Sequence, residues 1–207
     1  MQVVKVEKQK KHMCEITLDN GETFLLDSTY TAQNCIHTGV PLCREEIKQH
    51  TEQSQYKRAL SYSVWYIERY SASAKKLGQK LKSAGYNDST VKRTVARMCE
   101  LGLIDDGELA RRLSQDLLAR NVSKREALYK IVSKGIPRDV AAAALEENEC
   151  DETAQIKALI AKKYAEKIKT EDGIRKTVAA LARKGFAYGS IKSVLSEYSE
   201  ELKYSEE

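Results

Sequence analysis

The sequence predicts a mainly α-helical fold, a short curved α-solenoid of three tandem three-helix repeats with a small N-terminal β-hairpin or sheet. Three observations predict it. Gly85, Gly135 and Gly185 recur at fifty-residue spacing inside matching segments. Only 2 prolines in 207 residues leave long helices unbroken. Asp19-Asn20-Gly21 stands between two apolar runs, the strongest short-range hairpin signal.

The hairpin comes first in the chain. Met13-Cys14-Glu15-Ile16-Thr17-Leu18 and Glu22-Thr23-Phe24-Leu25-Leu26 flank the turn, and Val3, Val4 and Val6 offer a third strand. This sheet is expected to pack on a long helix starting near Leu42. The repeats follow. Leu81-Lys82-Ser83-Ala84-Gly85-Tyr86, Ile131-Val132-Ser133-Lys134-Gly135-Ile136 and Leu181-Ala182-Arg183-Lys184-Gly185-Phe186 share one form: an apolar residue, a short variable stretch, glycine, then a large apolar residue. That form is a helix end, with glycine in the left-handed position and the next residue packing back on the last turn. Val91, Ala141 and Ile191 share one phase, as do Val95, Leu145 and Leu195, and Ala59, Leu109 and Leu159.

Apolar spacing then gives three helices per unit. The first unit has one helix before Ser71, then helices over 73–84 and 88–101. The second has 106–120, 123–134 and 137–147, and the third 152–168, 171–184 and 188–200. Three short helices barely cover their own core, so neighbouring units are expected to stack. The organisation is 1–40, a small β region; 41–104, a linking helix and the first repeat; 105–150, the second repeat; 151–207, the third repeat and a tail.

Composition narrows the function. Hydrophobic residues make up 42% and charged residues 31%, with 35 basic side chains against 30 acidic, so the chain can bury a core and is not a disordered polyelectrolyte. No run approaches the length of a membrane helix, and the first residues do not read as a signal peptide. Five cysteines, an odd and scattered set without Cys-x-x-Cys, fit a reducing cytoplasm. Cys35, His37, Cys43 and His50 carry zinc-type donors, but their gaps are not those of structural sites. Nucleotide-binding, serine-hydrolase and zinc-protease motifs are absent. The expectation is a protein that is not an enzyme, with no cofactor and no metal.

Charge is uneven. Residues 51–104 carry ten basic and four acidic groups, while the other segments are nearly balanced. Within 51–104, Lys75, Lys76, Lys80, Lys82, Lys92, Arg93 and Arg97 fall in 23 positions. The pairs Lys76/Lys80 and Arg93/Arg97 each share a helix face. Lys124, Arg125, Lys134 and Arg138 continue the theme in the second repeat. Such a surface suits phosphate or an acidic protein face, and equally a solvated face of two helices. Tyr62, Trp65, Tyr66 and Tyr70 share a helix face too; stacked bases would fit them, and packing of the first unit against the N-terminal sheet fits them better. Asp105, Asp106 and Glu108 at a helix start read as caps rather than as metal ligands.

The run Gly102-Leu103-Ile104-Asp105-Asp106-x-x-Leu109-Ala110, the Leu-x-x-x-Gly-aromatic ends and Ile131-x-x-Lys134-Gly135-Ile136 resemble the RecX family, regulators of the RecA recombinase. The likeness covers about residues 58–200 and rests on period, order and junction together. Two departures stand out: Lys76 where an acidic residue is usual, leaving Ser73 without a capping-box partner, and Leu109 in place of an aromatic. The resemblance implies a monomeric regulator of recombination, DNA repair and the SOS response. It implies binding in the groove of the RecA nucleoprotein filament, usually inhibiting ATPase, strand exchange and co-protease activity. Weak direct contact with single- or double-stranded DNA and no membrane association go with it. The candidate contacts are Arg69, Lys75, Lys76, Lys80, Lys82, Lys92, Arg93, Arg97, Lys124, Arg125, Lys134 and Arg138. A sequence-independent DNA-binding module and a general helical adaptor are the alternatives.

Overall fold

Strand alternation builds the first layer. In a computed structural model, which describes residues 1–204 and side chains through 198, three antiparallel strands run β1 (Val3–Gln9), β2 (Met13–Leu18) and β3 (Thr23–Asp27), in spatial order β1-β2-β3. Cys14, Ile16 and Leu18 alternate inward on β2 and are buried. The Asp19-Asn20-Gly21 turn closes as the sequence predicts. Gly21 has φ +81°, Glu22 O accepts from Leu18 N–H at 2.9 Å, and Asn20 Oδ1 accepts from Glu22 N–H at 3.0 Å.

A short helix unforeseen in the sequence, α1 (Ser28–Gln33), follows β3 directly. Asp27 ends the strand and caps the helix, its carboxylate accepting from Thr29 and Tyr30 N–H. The long helix α2 (Arg44–Arg69) starts at a reciprocal cap: Glu46 Oε2 accepts from Cys43 N–H at 2.8 Å and Cys43 Sγ from Glu46 N–H at 3.5 Å. The sheet does pack on α2. Ser54 Oγ accepts from Asp27 N–H at 2.7 Å, and Ile47 meets the cluster of Val3, Ile16 and Leu26.

Eight further helices complete the described chain: α3 (Ala74–Ser83), α4 (Asp88–Glu100), α5 (Asp106–Ala119), α6 (Lys124–Ser133), α7 (Arg138–Glu146), α8 (Glu152–Lys163), α9 (Glu171–Arg183) and α10 (Tyr188–Tyr204). They form three successive triplets, the first completed by the end of α2. The second helix of each triplet ends at a glycine, with φ of +90°, +92° and +88° at Gly85, Gly135 and Gly185. At the first and third, the next residue's N–H bonds back to Leu81 O (3.2 Å) and Leu181 O (3.3 Å). Leu81, Ile131 and Leu181 are fully buried, as are Ala141 and Ile191, with Val91 nearly so.

The chain forms two units, Met1–Ile104 and one starting at Asp105. In the first, the sheet core is separate from the cluster around Ala59, Leu77, Leu81 and Met98. In the second, each triplet again has its own cluster. Polar stitches join those two triplets: Ser123 Oγ donates to Lys184 O at 2.5 Å, and Gln155 Nε2 donates to Leu118 O at 3.1 Å.

One expected helix is corrected. The pattern over 152–168 gives α8 only to Lys163; a 3-10 turn, Lys167–Lys169, then returns the chain toward α9 and buries Ile168. The return is tight. Thr170 Oγ1 accepts from Gly173 N–H at 3.2 Å, and a Cβ on Gly173 would stand 1.8 Å from Lys167 O. Gly173→Ala is therefore expected to lower stability by about 1–3 kcal/mol through overpacking. At Gly189 a Cβ meets nothing within 4 Å, so Gly189→Ala is expected to be neutral or to gain up to about 1 kcal/mol. Urea unfolding of both variants followed by circular dichroism checks the contrast.

Candidate interaction surface

The basic segment is built on α3 and α4. Ser73 caps α3, its Oγ accepting from Lys76 N–H at 3.3 Å, while Lys76 at the third position offers no carboxylate in return. Leu77 and Leu81 turn inward, which leaves Lys75, Lys76, Lys80 and Lys82 exposed. Asn87 caps α4 through Thr90 N–H at 2.8 Å. Val91, Thr94 and Met98 are buried, leaving Lys92, Arg93 and Arg97 in solvent.

Some of these charges are engaged. Lys82 pairs with Asp88 at 2.7 Å and Arg97 with Glu100 at 3.1 Å. Arg93 lies over the Tyr56 ring at 3.9 Å, and Arg69 over the Trp65 ring at 4.7 Å. Lys75, Lys76 and Lys80 have no acidic partner among the described residues, and Lys92 has only a weak attraction to Asp88. Helix position divides the set again. Lys80, Lys82 and Arg97 occupy last turns, where the helix dipole favours a cation. Lys75 and Lys76 occupy a first turn containing no acid, where the dipole disfavours them.

The second unit also has cations at helix starts, there with an acid in the same first turn, Glu126 in α6 and Asp139 in α7. Lys124 and Arg125 open α6 behind the cap Ser123, and Arg138 opens α7. All three are exposed, as is Lys134 at the end of α6. The Arg125 stem also has a packing role, since its Cβ would lie 3.0 Å from a Cβ on Gly185.

The aromatic face differs from the sequence expectation. Tyr62 and Tyr66 stack with ring centroids 6.3 Å apart, and Tyr66 meets Tyr70 at 5.0 Å. Tyr66 is buried and Tyr62 partly so, both in the first triplet's cluster and not in that of the sheet. The reason is length: α2 meets the sheet near Ile47 and Ser54, and Tyr62 lies about 22 Å beyond Ile47 along the helix. Trp65 and Tyr70 remain about half exposed, at 45% and 53%.

The other candidates resolve into local chemistry. Asp105 Oδ1 accepts from Glu108 N–H at 2.9 Å, capping α5. Cys43 caps α2, and His50 Nδ1 lies 2.9 Å from Tyr30 Oη. Among the described residues no three His, Cys, Asp or Glu side chains gather as a metal site. In the second unit a groove of about 580 Å³ runs between the end of α5 and the start of α8, with Cys150 and Gln155 on its wall. Burial pushes the Cys150 thiol up from its ordinary range, which keeps it protonated and poorly nucleophilic at neutral pH.

A basic cluster missed in the sequence lies at the β1–β2 turn. Lys8, Lys10, Lys11 and His12 are exposed there, beside a cavity of about 680 Å³ shared with Ser28 and Thr29. The available signal was three lysines within four positions, concealed because residues 1–50 as a whole are slightly acidic.

No family model matches the chain. Curated relatives named "Regulatory protein RecX" do. Those of Clostridium tetani and Clostridioides difficile are each 25% identical over 94% of this chain, covering 93% and 94% of their own lengths. That of Streptococcus pneumoniae strain Hungary19A-6 is 22% identical over 98% of this chain and 79% of its own. A crystal structure of regulatory protein RecX has the same fold, with TM-score 0.69 at 20% identity, covering 93% of this chain and 98% of its own. That of RecX from Lactobacillus salivarius gives TM-score 0.64 at 18% identity, covering 70% and 97%. The likeness drawn from the repeats is thus found across nearly the whole chain. No helix among the described residues is long and apolar enough to cross a membrane.

The Lys82–Asp88 pair has a measurable signature. The Lys82 ammonium, with Lys92 adding a smaller attraction, holds the Asp88 carboxyl below the ordinary aspartate range. Being a depressed carboxylate, it contributes stability above its unfolded-state titration and loses it as pH falls through the folded-state value. In Lys82→Met the Asp88 titration, followed by carboxyl NMR, is expected to move back up toward that of free aspartate.

Proposed function

Taking the chain as a member of the RecX family, we propose that it is a non-enzymatic regulator that binds the RecA–DNA filament and restrains its ATPase, strand exchange and co-protease activity. In this reading it acts as a cytoplasmic monomer in recombination, DNA repair and the SOS response. The observation that carries the proposal is the set of unpaired lysines on α3, Lys75, Lys76 and Lys80, and above all the first two. Their position at a helix start costs roughly 0.3–1 kcal/mol each and no acidic partner offsets it, so a ligand accounts for them better than stability does. Lys124, Arg125 and Arg138 also stand at helix starts, α6 and α7, but each of those first turns has an acid, Glu126 or Asp139, so they carry less of the argument.

A filament suits such a ligand surface. Each exposed cation contributes little alone, but a protein that touches several subunits of one polymer adds weak contacts through effective concentration. The lone subunit is then a poor ligand and the filament a good one. Contacts that bridge subunits oppose the motions tied to ATP turnover and obstruct an incoming duplex.

Reversal of Lys76, Lys80, Arg93 and Arg97 to glutamate is expected to raise the concentration for half-inhibition of RecA ATPase by at least about tenfold, a loss of about 1.4 kcal/mol or more. Helicity should be unchanged. The narrower Lys76→Glu/Lys80→Glu pair leaves the Arg93–Tyr56 stack and the Arg97–Glu100 pair intact and should account for most of the effect. Full inhibition by both folded variants overturns the role given to α3 and α4.

A further inference from the structure

We propose that the tip of the β1–β2 hairpin is a separate contact for the phosphodiester backbone of nucleic acid, made by Lys8, Lys10 and Lys11. It goes beyond the filament reading, since it requires nucleic acid alone and no RecA.

The tip is electrostatically uncompensated. Lys8, Lys10 and Lys11 are exposed and have no acidic partner among the described residues. The neighbouring acids are occupied elsewhere: Glu7 pairs with Lys5 at 2.8 Å, Glu15 accepts from Gln9 Nε2 at 3.1 Å, and Asp27 accepts from Thr29 and Tyr30 N–H. The cavity beside the tip is lined by Lys8, Lys11, His12, Ser28 and Thr29 among others, and by no carboxylate. An anion entering it meets ammonium, imidazole, hydroxyl and amide groups beside Met13 and Ala32, and no carboxylate.

The turn is also strained and braced. Lys11 and His12 hold φ of +60° and +56°, a region where Asn or Gly is the low-energy choice. His12 O accepts from Ser28 N–H at 2.9 Å, which ties the tip to the start of α1. Lysine at such a position does nothing for the turn. Strain retained in a braced, charged turn points to a ligand.

The chemistry of the tip selects the ligand class. A protein partner wants a desolvated core of aromatic or large apolar side chains; the cavity wall has only Met13 of that kind, beside the small Ala32. Reading of base edges wants planar bidentate donors such as Arg, Asn or Gln, and the only such side chain here, Gln9, is held by Glu15. Flexible ammonium groups suit phosphate oxygens without regard to sequence.

The test uses the full chain and a labelled duplex of arbitrary sequence, of about 30 base pairs, in anisotropy titrations over a salt series. The wild type is expected to bind with a negative slope of log K against log salt. K8Q/K10Q/K11Q should flatten that slope by up to about 2.7, about 0.9 for each phosphate no longer neutralised. Lys11→Gly, which relaxes the turn while removing one charge, should flatten it by about 0.9 with the fold retained. A wild type that does not bind the duplex, or a folded triple variant of unchanged slope, overturns the proposal. So does loss of poly-glutamate binding with the duplex slope unchanged, which makes the tip a protein contact. ATPase inhibition lost on reversing the α3 and α4 charges, with the duplex slope intact, leaves the tip separate from the filament contact. A wild type that leaves RecA ATPase unchanged yet binds the duplex with a slope that the triple variant flattens refutes the filament reading and leaves the tip standing.

Discussion

Everything else in the helical part depends on how the second helix of each triplet ends. A left-handed residue after the last turn reverses the chain within four residues and lays the third helix against the second. At Gly85 and Gly185 this uses the same two backbone bonds, Gly N–H to the carbonyl three residues back and the next N–H to the carbonyl five back. The reversal does two things at once. It satisfies carbonyls that a frayed helix end would leave open, and it directs the following large residue, Ile136 or Phe186, onto the core at 2% and 4% exposure. Burial of such a side chain is worth roughly 1.5–3 kcal/mol, so the turn and the core it closes reinforce one another. The device is not confined to glycine: Asn121, at φ +57°, ends α5 with the same pair of bonds.

That constraint explains why the helical part was legible and parts of the rest were not. A fixed glycine with a fixed apolar residue four positions before it survives as a pattern, because no other residue meets the backbone requirement so cheaply. The extent of α8 was less visible. Ile156, Leu159, Ile160, Tyr164 and Ile168 keep helical spacing, yet the turn at 164–170 is decided by Gly173 and Thr170, which act on the chain behind them. The helix α1 was hidden for a different reason: Asp27 is both the last residue of a strand and a cap. The stacking of triplets was expected because three short helices seemed too few for a core. Each triplet nonetheless has its own buried cluster, and the two in the second unit are joined by hydrogen bonds such as Ser123 to Lys184 rather than by one continuous apolar layer.

The surface was legible in composition and not in arrangement. The excess of ten cations over four acids in 51–104 drew attention to α3 and α4. It did not separate Lys82 and Arg97, which have carboxylate partners, from Lys75 and Lys76, which have none. Averaging also concealed the hairpin tip. Of the acids that balance residues 1–50, Glu7, Glu15 and Asp27 stand near the tip but are engaged with other groups, and Glu45 and Glu46 stand at the start of α2. Charge acts over about a Debye length, roughly 8–10 Å at moderate salt, so a segment average over several elements is the wrong unit of account.

The ion pairs on α3 and α4 do not remove their cations from use. Both members of Lys82–Asp88 and of Arg97–Glu100 are largely exposed, and exposed pairs are worth about 0–1 kcal/mol. A phosphate or a clustered acidic face displaces such a carboxylate at little cost. Arg93 and Arg69 are held differently, on the Tyr56 and Trp65 rings. There the guanidinium rests over an aromatic face, and Arg69 Nη1 also donates to Trp65 O at 3.4 Å. The basic helices therefore combine adaptable ammonium groups, which follow a polyanion loosely, with guanidinium groups seated on aromatic rings. Such a mixture suits attachment to a repeating polymer, in which register matters and no single contact has to be strong.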